Sequence, residues 1–396
     1  MDELFSSDSR NFRPSAIRAF AHLINDPRVI SFAGGVPSPQ TFPVEAIAEI
    51  AARMVRERGG VALQYGATAG LPRLREQIAS IVRARGIEAA PEQVLVTTGS
   101  QQALHLIATI LLDPGDVVLV ELPTYVGGLS AFHGRRAGLA GVRQDEDGIV
   151  PADLREVIGR LKREGRRPKL LYTIPNFQNP SGRLLGEGRR GEVLAIAREE
   201  GVVIVEDDPY GELVFDDEAV TRPIAADDGG LGSSIYLGSF SKVLSPGLRC
   251  GFLVAAPPVV RMAQLAKEAV DLCSGMLDQS IVDEFCASGA LAPQIARVRT
   301  FYRDRSATLL EALGRHFAGR ARWTRSRGGL FTLLTLEADL DTRELVPKAI
   351  EAGVAYVPGA AFFVDGSGAR SMRLTFAKEP DERMREGIER LARLIP

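Results

Sequence analysis

Between Pro91 and about Ala256, six short apolar runs alternate with helical patterns, and this alternation restricts what the chain can fold into more than any other feature. The runs are Val94–Thr97, Val117–Glu121, Leu170–Ile174, Val202–Glu206, Ser234–Leu237 and Gly251–Ala255. Each is apolar enough to be covered on both faces, as strands of a parallel sheet are. A helical pattern at Gln101–Leu112 runs into Asp113-Pro114-Gly115-Asp116, and a second at Glu187–Glu200 stops at Gly201. Strand, helix, strand repeated in this way predicts βαβ units around a mostly parallel sheet, an α/β architecture.

After Ala256 the pattern changes. Long polar helical stretches, Val259–Val270 and Gln294–Phe317, precede strand-like runs at Gly329–Glu337, Val354–Val357 and Met372–Phe376. This predicts a second, smaller α+β domain. At 396 residues the chain has room for two or three domains. The expected division is an N-terminal arm with part of the small domain over 1–45, a large domain over 46–288, and a small C-terminal domain over 289–396.

Composition narrows the partners. Forty-eight basic against 50 acidic residues leave a formal charge of −2, which supplies no basic field for nucleic acid. The longest nearly apolar run, Leu104 to Leu112, is broken by His105 and is far short of the roughly 20 residues that span a bilayer. The first residues lack a basic segment followed by an apolar one, so the expectation is a cytoplasmic protein with neither membrane nor nucleic acid as partner. Cys250, Cys273 and Cys286 form no CxxC pair and read as buried small hydrophobes. The four histidines stand at no metal-ligand spacing, so no metal is expected.

In open parallel sheets, ligands bind beyond the carboxyl ends of the strands, and four of those ends carry chemistry. Thr98-Gly99-Ser100-Gln101 turns on a glycine into a helix start, where backbone N–H groups attract an anion such as phosphate; taken alone, the segment reads first as a plain N-cap by Ser100. Gly238-Ser239-Phe240-Ser241-Lys242, with Arg249 seven residues on, gathers two hydroxyls, an amine and a guanidinium, a set suited to a dianion beside a nucleophile. Asp207-Asp208-Pro209-Tyr210 puts carboxylates at the end of a buried strand, where a charge needs a partner. Asn176-Phe-Gln-Asn179-Pro-Ser-Gly182 is a turn-rich loop compatible with a cis Asn–Pro bond. Together these parts suit pyridoxal 5′-phosphate (PLP), which offers a phosphate, an aldehyde for a lysine and a ring nitrogen for an acid.

The run Gly238-Ser-Phe-Ser-Lys-Val-Leu-Ser-Pro-Gly-Leu-Arg-Cys-Gly251 resembles the lysine segment of the class I/II aminotransferases, PLP-dependent enzymes of fold type I. The resemblance extends to Leu63-Gln-Tyr65-Gly, Thr97-Thr-Gly-Ser-Gln-Gln102, Asn176–Gly182, Glu206-Asp-Asp-Pro-Tyr210 and Ser371-Met-Arg373-Leu-Thr-Phe376. It thus spans nearly the whole chain. Within the class it is most similar to the 2-aminoadipate and kynurenine aminotransferase group, which Phe32-Ala-Gly-Gly35 also matches. The implied fold is the type I transferase: a large domain with a mostly parallel seven-stranded sheet, plus a smaller α+β domain.

The resemblance also implies roles. Lys242 would bond to the cofactor aldehyde and shuttle the substrate proton, Asp207 would hold the ring nitrogen protonated, and Tyr125 would stack on the ring. Asn179 and Tyr210 would hold the ring oxygen. Ser100, Gln101, Ser239, Ser241 and Arg249 would hold the phosphate, with Tyr65 reaching it from the second subunit of a homodimer. For the substrate, Arg373 would clamp the α-carboxylate, Gly35 would leave room beside it, and Arg18 would meet a distal carboxylate, the alternative for Arg18 being a solvated helix charge. Read without the resemblance, Arg373 is a surface strand arginine. The implied activity moves an amino group from an L-amino acid to a 2-oxo acid such as 2-oxoglutarate. A lyase, decarboxylase or oxidase on the same fold is the alternative. A PLP-binding transcription regulator is a further one, set aside because the homologous body begins within the first few dozen residues.

Overall fold

The computed structural model describes residues 4–6, 9–11 and 26–396. In chain order the strands are β1 (Ile30–Ser31), β2 (Val94–Thr97), β3 (Val117–Leu122), β4 (Gly138–Asp145), β5 (Gly148–Ile149), β6 (Pro168–Thr173), β7 (Val203–Asp207), β8 (Ser234–Ser239) and β9 (Gly251–Val254). They are followed by β10 (Ala321–Trp323), β11 (Phe331–Leu336), β12 (Val354–Ala355), β13 (Val357–Pro358) and β14 (Ser371–Thr375). The large sheet has the order β2-β9-β8-β7-β6-β3-β4-β5. Pairing is parallel from β8 through β7, β6 and β3 to β4, whereas β9 runs antiparallel to both neighbours.

All six apolar runs are strands of this sheet. The seventh, β4, lies near the edge with mixed burial, and its hairpin partner β5 adds two residues. The sheet therefore counts eight strands where seven were expected, the eighth being this short extension. The helices Ser100–Leu111 and Glu187–Glu200 follow β2 and β6. Leu104, Ile107, Val118, Val120 and Val205 share one core, while Leu119, Leu171, Leu194 and Ile204 pack into another on the opposite face. Adjacent strand residues point to opposite faces, so the two cores explain why the runs are continuously apolar.

A four-stranded antiparallel sheet, β10-β11-β14-β13, forms the second layer system. The run Val354–Val357 divides in two at Tyr356: β12 pairs in parallel with β1, and β13 pairs with β14. The N-terminal segment is thereby tied to the C-terminal third of the chain. Of the three cysteines only Cys250 is buried; Cys273 and Cys286 are partly accessible, a correction to the expectation that all three sit in the core. Among the described residues, no helix is long and apolar enough to cross a membrane.

Candidate active site

The carboxyl ends of β2, β7 and β8 open onto a cavity of about 260 Å³ that also takes lining from Gly35, Asn179 and Arg373. Ser100, Gln101, Tyr125, Asp207, Tyr210, Ser239, Ser241, Lys242 and Arg249 line the same space. Tyr65 does not line it and is 77% exposed. Arg18 lies outside the described residues.

One end of the cavity is an anion cup. Gly99 caps the helix Ser100–Leu111 with φ +79°, and a Cβ there would stand 2.7 Å from the Arg249 guanidinium. Only glycine fits, both for the backbone conformation and for the close approach. Ser100 is the first helical residue, and no side chain caps this end, so the N-cap by Ser100 is not what the sequence encodes. The first N–H groups of the helix are left for an external acceptor. Arg249 donates to the carbonyls of Thr98 (3.1 Å) and Pro246 (3.3 Å) and forms no ion pair among the described residues. Ser239 donates its hydroxyl to Ser241 at 2.8 Å. A cation, open amides and two hydroxyls make a site for a dianion.

Behind the cup stands a network that the sequence reading missed. The fully buried Lys267 donates to Asp271 at 2.6 Å. Asp271 accepts from Gln102 Nε2 (2.6 Å) and Thr98 Oγ1 (3.2 Å), and Gln102 in turn accepts from the Thr98 amide at 2.8 Å. The turn around Gly99 is thus held from below by an ion pair whose lysine is fully buried and whose carboxylate is partly accessible.

At the opposite wall, Asp207 is 2% exposed. Its Oδ2 accepts from the Tyr172 hydroxyl at 2.9 Å, while Oδ1 is buried with no partner. Burial pushes this carboxyl up to about 7, against the lowering effect of the Tyr172 hydrogen bond. A buried carboxylate oxygen without a donor is costly unless a ligand supplies one. Its neighbour Asp208 is already matched, by Arg85 at 2.7 Å and the Gly211 amide at 2.9 Å. Lys242 donates to the Gly35 carbonyl at 3.1 Å. Burial lowers its pKa to about 8, and the positive charges of Arg373 and Arg249 act in the same direction.

Arg373, in the middle of β14, is fully buried, which corrects the surface-arginine reading. Its guanidinium lies 4.4 Å from the Phe331 ring centroid and 5.2 Å from that of Phe362. It donates to Asn179 Oδ1 (2.9 Å) and the Ala33 carbonyl (2.7 Å), and Nε has no partner. Burial lowers its pKa to about 10, so the fork stays charged. A buried guanidinium with no carboxylate beside it is prepared for an anionic ligand. A Cβ on Gly35 would stand 3.2 Å from Phe331 and 3.9 Å from Arg373, so glycine there keeps the space open.

The loop that carries Asn179 is shaped by Glu121, another residue the sequence reading did not single out. Buried Glu121 accepts from Thr173 Oγ1 (2.7 Å), the Ile174 amide (3.2 Å) and Gln178 Nε2 (2.9 Å). Gln178 also accepts from the Ser181 amide and hydroxyl. The Asn179–Pro180 bond is cis. Tyr210 hydrogen-bonds Asn179, and burial raises its phenol pKa.

These residues fit PLP: a dianion cup, a nucleophilic amine of lowered pKa and an unmatched buried carboxylate share one cavity, and an unpaired buried guanidinium faces the remaining space. Comparison with known proteins agrees. The family model for aminotransferase class I and II matches residues 27–391. The chain is 42% identical over 394 residues to the 2-aminoadipate transaminase of Thermus thermophilus, covering 99% of this chain and 96% of that one. It is 40% identical over 395 residues to the aromatic-amino-acid aminotransferase 1 of Thermococcus litoralis, covering 100% and 94%. Among solved structures, the α-aminoadipate aminotransferase LysN of Thermus thermophilus, complexed with N-(5′-phosphopyridoxyl)-L-leucine, superposes with a TM-score of 0.91 at 40% identity, covering 99% of this chain and 97% of that one.

Proposed function

The chain belongs to the class I and II aminotransferases and moves amino groups with PLP, and on that premise we propose which residues do so and on which acids. The observation that carries the assignment is the unpartnered Oδ1 of Asp207 in the cavity that Lys242 also lines. Bound there, PLP supplies an electrophilic carbonyl carbon and a ring that draws off the electron pair left when the substrate Cα–H bond breaks.

In this reading Lys242 would be the neutral amine that holds the cofactor through its carbonyl carbon and the base that would move the substrate Cα proton. Asp207 keeps a proton on the ring nitrogen by its negative charge, with Tyr172 fixing the carboxylate plane. Tyr125 supports the ring, Asn179 and Tyr210 hold the ring oxygen, and Ser100, Gln101, Ser239, Ser241 and Arg249 hold the phosphate. Arg373 takes the α-carboxylate with two parallel hydrogen bonds, which orients the Cα–H bond. Gly35 leaves the space for the substrate.

The lowered pKa of Lys242 gives a pH signature. Only the neutral amine is nucleophilic. At about pH 7.5 a lysine with the pKa of Lys242 is about one quarter neutral, against roughly one thousandth for an ordinary lysine. Cofactor uptake by the apoprotein, followed by stopped-flow absorbance, is expected to accelerate about tenfold per pH unit at low pH and to level off through a midpoint near 8. A midpoint still at the ordinary value of 10.5 contradicts the electrostatic account.

The relatives named for aromatic amino acids and for 2-aminoadipate support those two donor classes, and the acceptor in this reading is 2-oxoglutarate. A donor panel should give one 2-oxo acid formed per 2-oxoglutarate consumed for aromatic L-amino acids and L-2-aminoadipate. Ammonia or peroxide released without an acceptor would favour the lyase or oxidase alternative.

The division into an arm with part of the small domain (1–45), a large domain (46–288) and a small domain (289–396) belongs to the same reading, supported by the pairing of β1 with β12. So does a homodimer: Leu63, Tyr65, Leu265, Val270 and Leu272 are all more than half exposed, an apolar set that a second copy would cover while placing Tyr65 at its phosphate site.

A further inference from the structure

A second cleft, of about 820 Å³, lies away from the active-site cavity, between the segment Gly182–Glu187 and the strands β10 and β11. It shares none of the lining residues of that cavity. Its apolar side includes Leu184, Leu333 and Trp323. Its seam is stitched by Thr324, which donates to the Ser181 carbonyl, and by Ser326, which donates to the Gly182 carbonyl at 3.1 Å.

The charges are unequal in depth. Glu146, Asp147, Glu187 and Glu218 are exposed, as are Arg322, Arg325 and Arg327, so this mixed rim is solvated and screened. Arg322 and Arg327 are already paired outside the cleft, with Glu337 at 2.8 Å and Asp216 at 2.5 Å. Arg183 differs. It is the one lining cation that is not exposed; its guanidinium makes no hydrogen bond or ion pair with any described residue, and its Nε is wholly buried without a partner. Guanidinium groups stay charged in proteins; Asp145, Glu146 and Glu121 act on this one only through space, without a direct contact, so its donors remain open to a ligand.

We propose that this cleft is a second, non-catalytic binding site for a small organic carboxylate, whose carboxylate is taken by Arg183 and whose apolar body lies against Trp323 and Leu333. A fork with open donors matches a carboxylate, and an apolar wall beside one polar anchor is the usual make-up of a small-molecule site. Gly182 and Ser181 continue into the loop that carries Asn179, so a ligand here touches the back of a segment that lines the active site.

Trp323 is the only tryptophan in the chain, so its emission reports on this cleft. The test titrates holoenzyme with 3-phenylpropionate, following tryptophan emission for the cleft and visible cofactor absorbance for the active site. A saturable emission change is expected, absent with the neutral 3-phenylpropanamide and weakened at least about tenfold in Arg183→Gln, while the absorbance response of that variant stays as in the wild type. Thr335→Glu, which adds a carboxylate to the cleft wall, should weaken the emission change in the same way and provides the check if Arg183→Gln does not fold. No emission change, an equal response to the amide, or equal titrations in wild type and in whichever variant folds would overturn the site.

Discussion

Lys242→Ala, purified and saturated with PLP, is expected to lose turnover by at least about ten-thousand-fold and to show visible absorbance that no longer responds to pH. In the proposed reading, two separate tasks fall on this one amine, attack on the cofactor carbon and movement of the Cα proton. Among the described residues, no second amine lines the cavity to replace it. The variant should fold, because the side chain makes a single hydrogen bond, to the Gly35 carbonyl. It should also keep weakened, non-covalent affinity for PLP, since Arg249 and the open helix end are untouched. Dialysis should therefore strip the cofactor from the variant and not from the wild type. Transamination in the variant within tenfold of the wild-type rate would mean that the chemistry lies elsewhere.

Asp207→Asn separates the charge of this residue from its shape. The amide oxygen can still accept from Tyr172, so the geometry at Oδ2 survives. The negative charge that would hold a proton on the ring nitrogen is gone, and a loss of roughly 10²- to 10³-fold in kcat is expected for a preorganised electrostatic partner. The stability effect has the opposite sign in the apoprotein. Burial raises the Asp207 carboxyl to about 7 in the folded chain. Its contribution to folding is therefore fully present below the unfolded value and is lost as pH rises through about 7. At about pH 8 the ionised, half-matched carboxylate opposes folding, so apo Asp207→Asn should melt no lower than apo wild type. The gain in Tm on adding PLP should be smaller in the variant. Paired melts of apo and holo forms measure both; an apo variant that melts well below wild type, with an undiminished PLP gain, would assign Asp207 a purely structural role.

Much of this site is legible in the sequence because its parts follow strands that announce themselves. Val94–Thr97, Val203–Asp207 and Ser234–Ser239 are buried almost throughout, and continuous apolar runs make their carboxyl ends easy to find. Gly138–Asp145 escaped because its burial is mixed near the sheet edge, which blurs both the continuous and the alternating pattern. Tyr172 looked like strand filling. It pairs in register with Val205, two residues before Asp207, and only that strand neighbourhood brings its hydroxyl to the carboxylate. The Lys267–Asp271 pair was visible at i, i+4 spacing, but such pairs are ordinarily solvated helix surface, and nothing local says that Lys267 is buried. Arg373 needed the resemblance for the same reason, because its partners Asn179 and Ala33 lie 194 and 340 residues away in sequence.

The central claim is that the Lys242 amine meets the cofactor carbonyl in the cavity that Asp207 lines. Borohydride reduction of the holoenzyme, followed by proteolysis and mass spectrometry, tests it most directly. A pyridoxyl phosphate mass on the peptide containing Lys242, and on no other lysine, is the predicted result; its absence there, or its attachment at another lysine, would contradict the account.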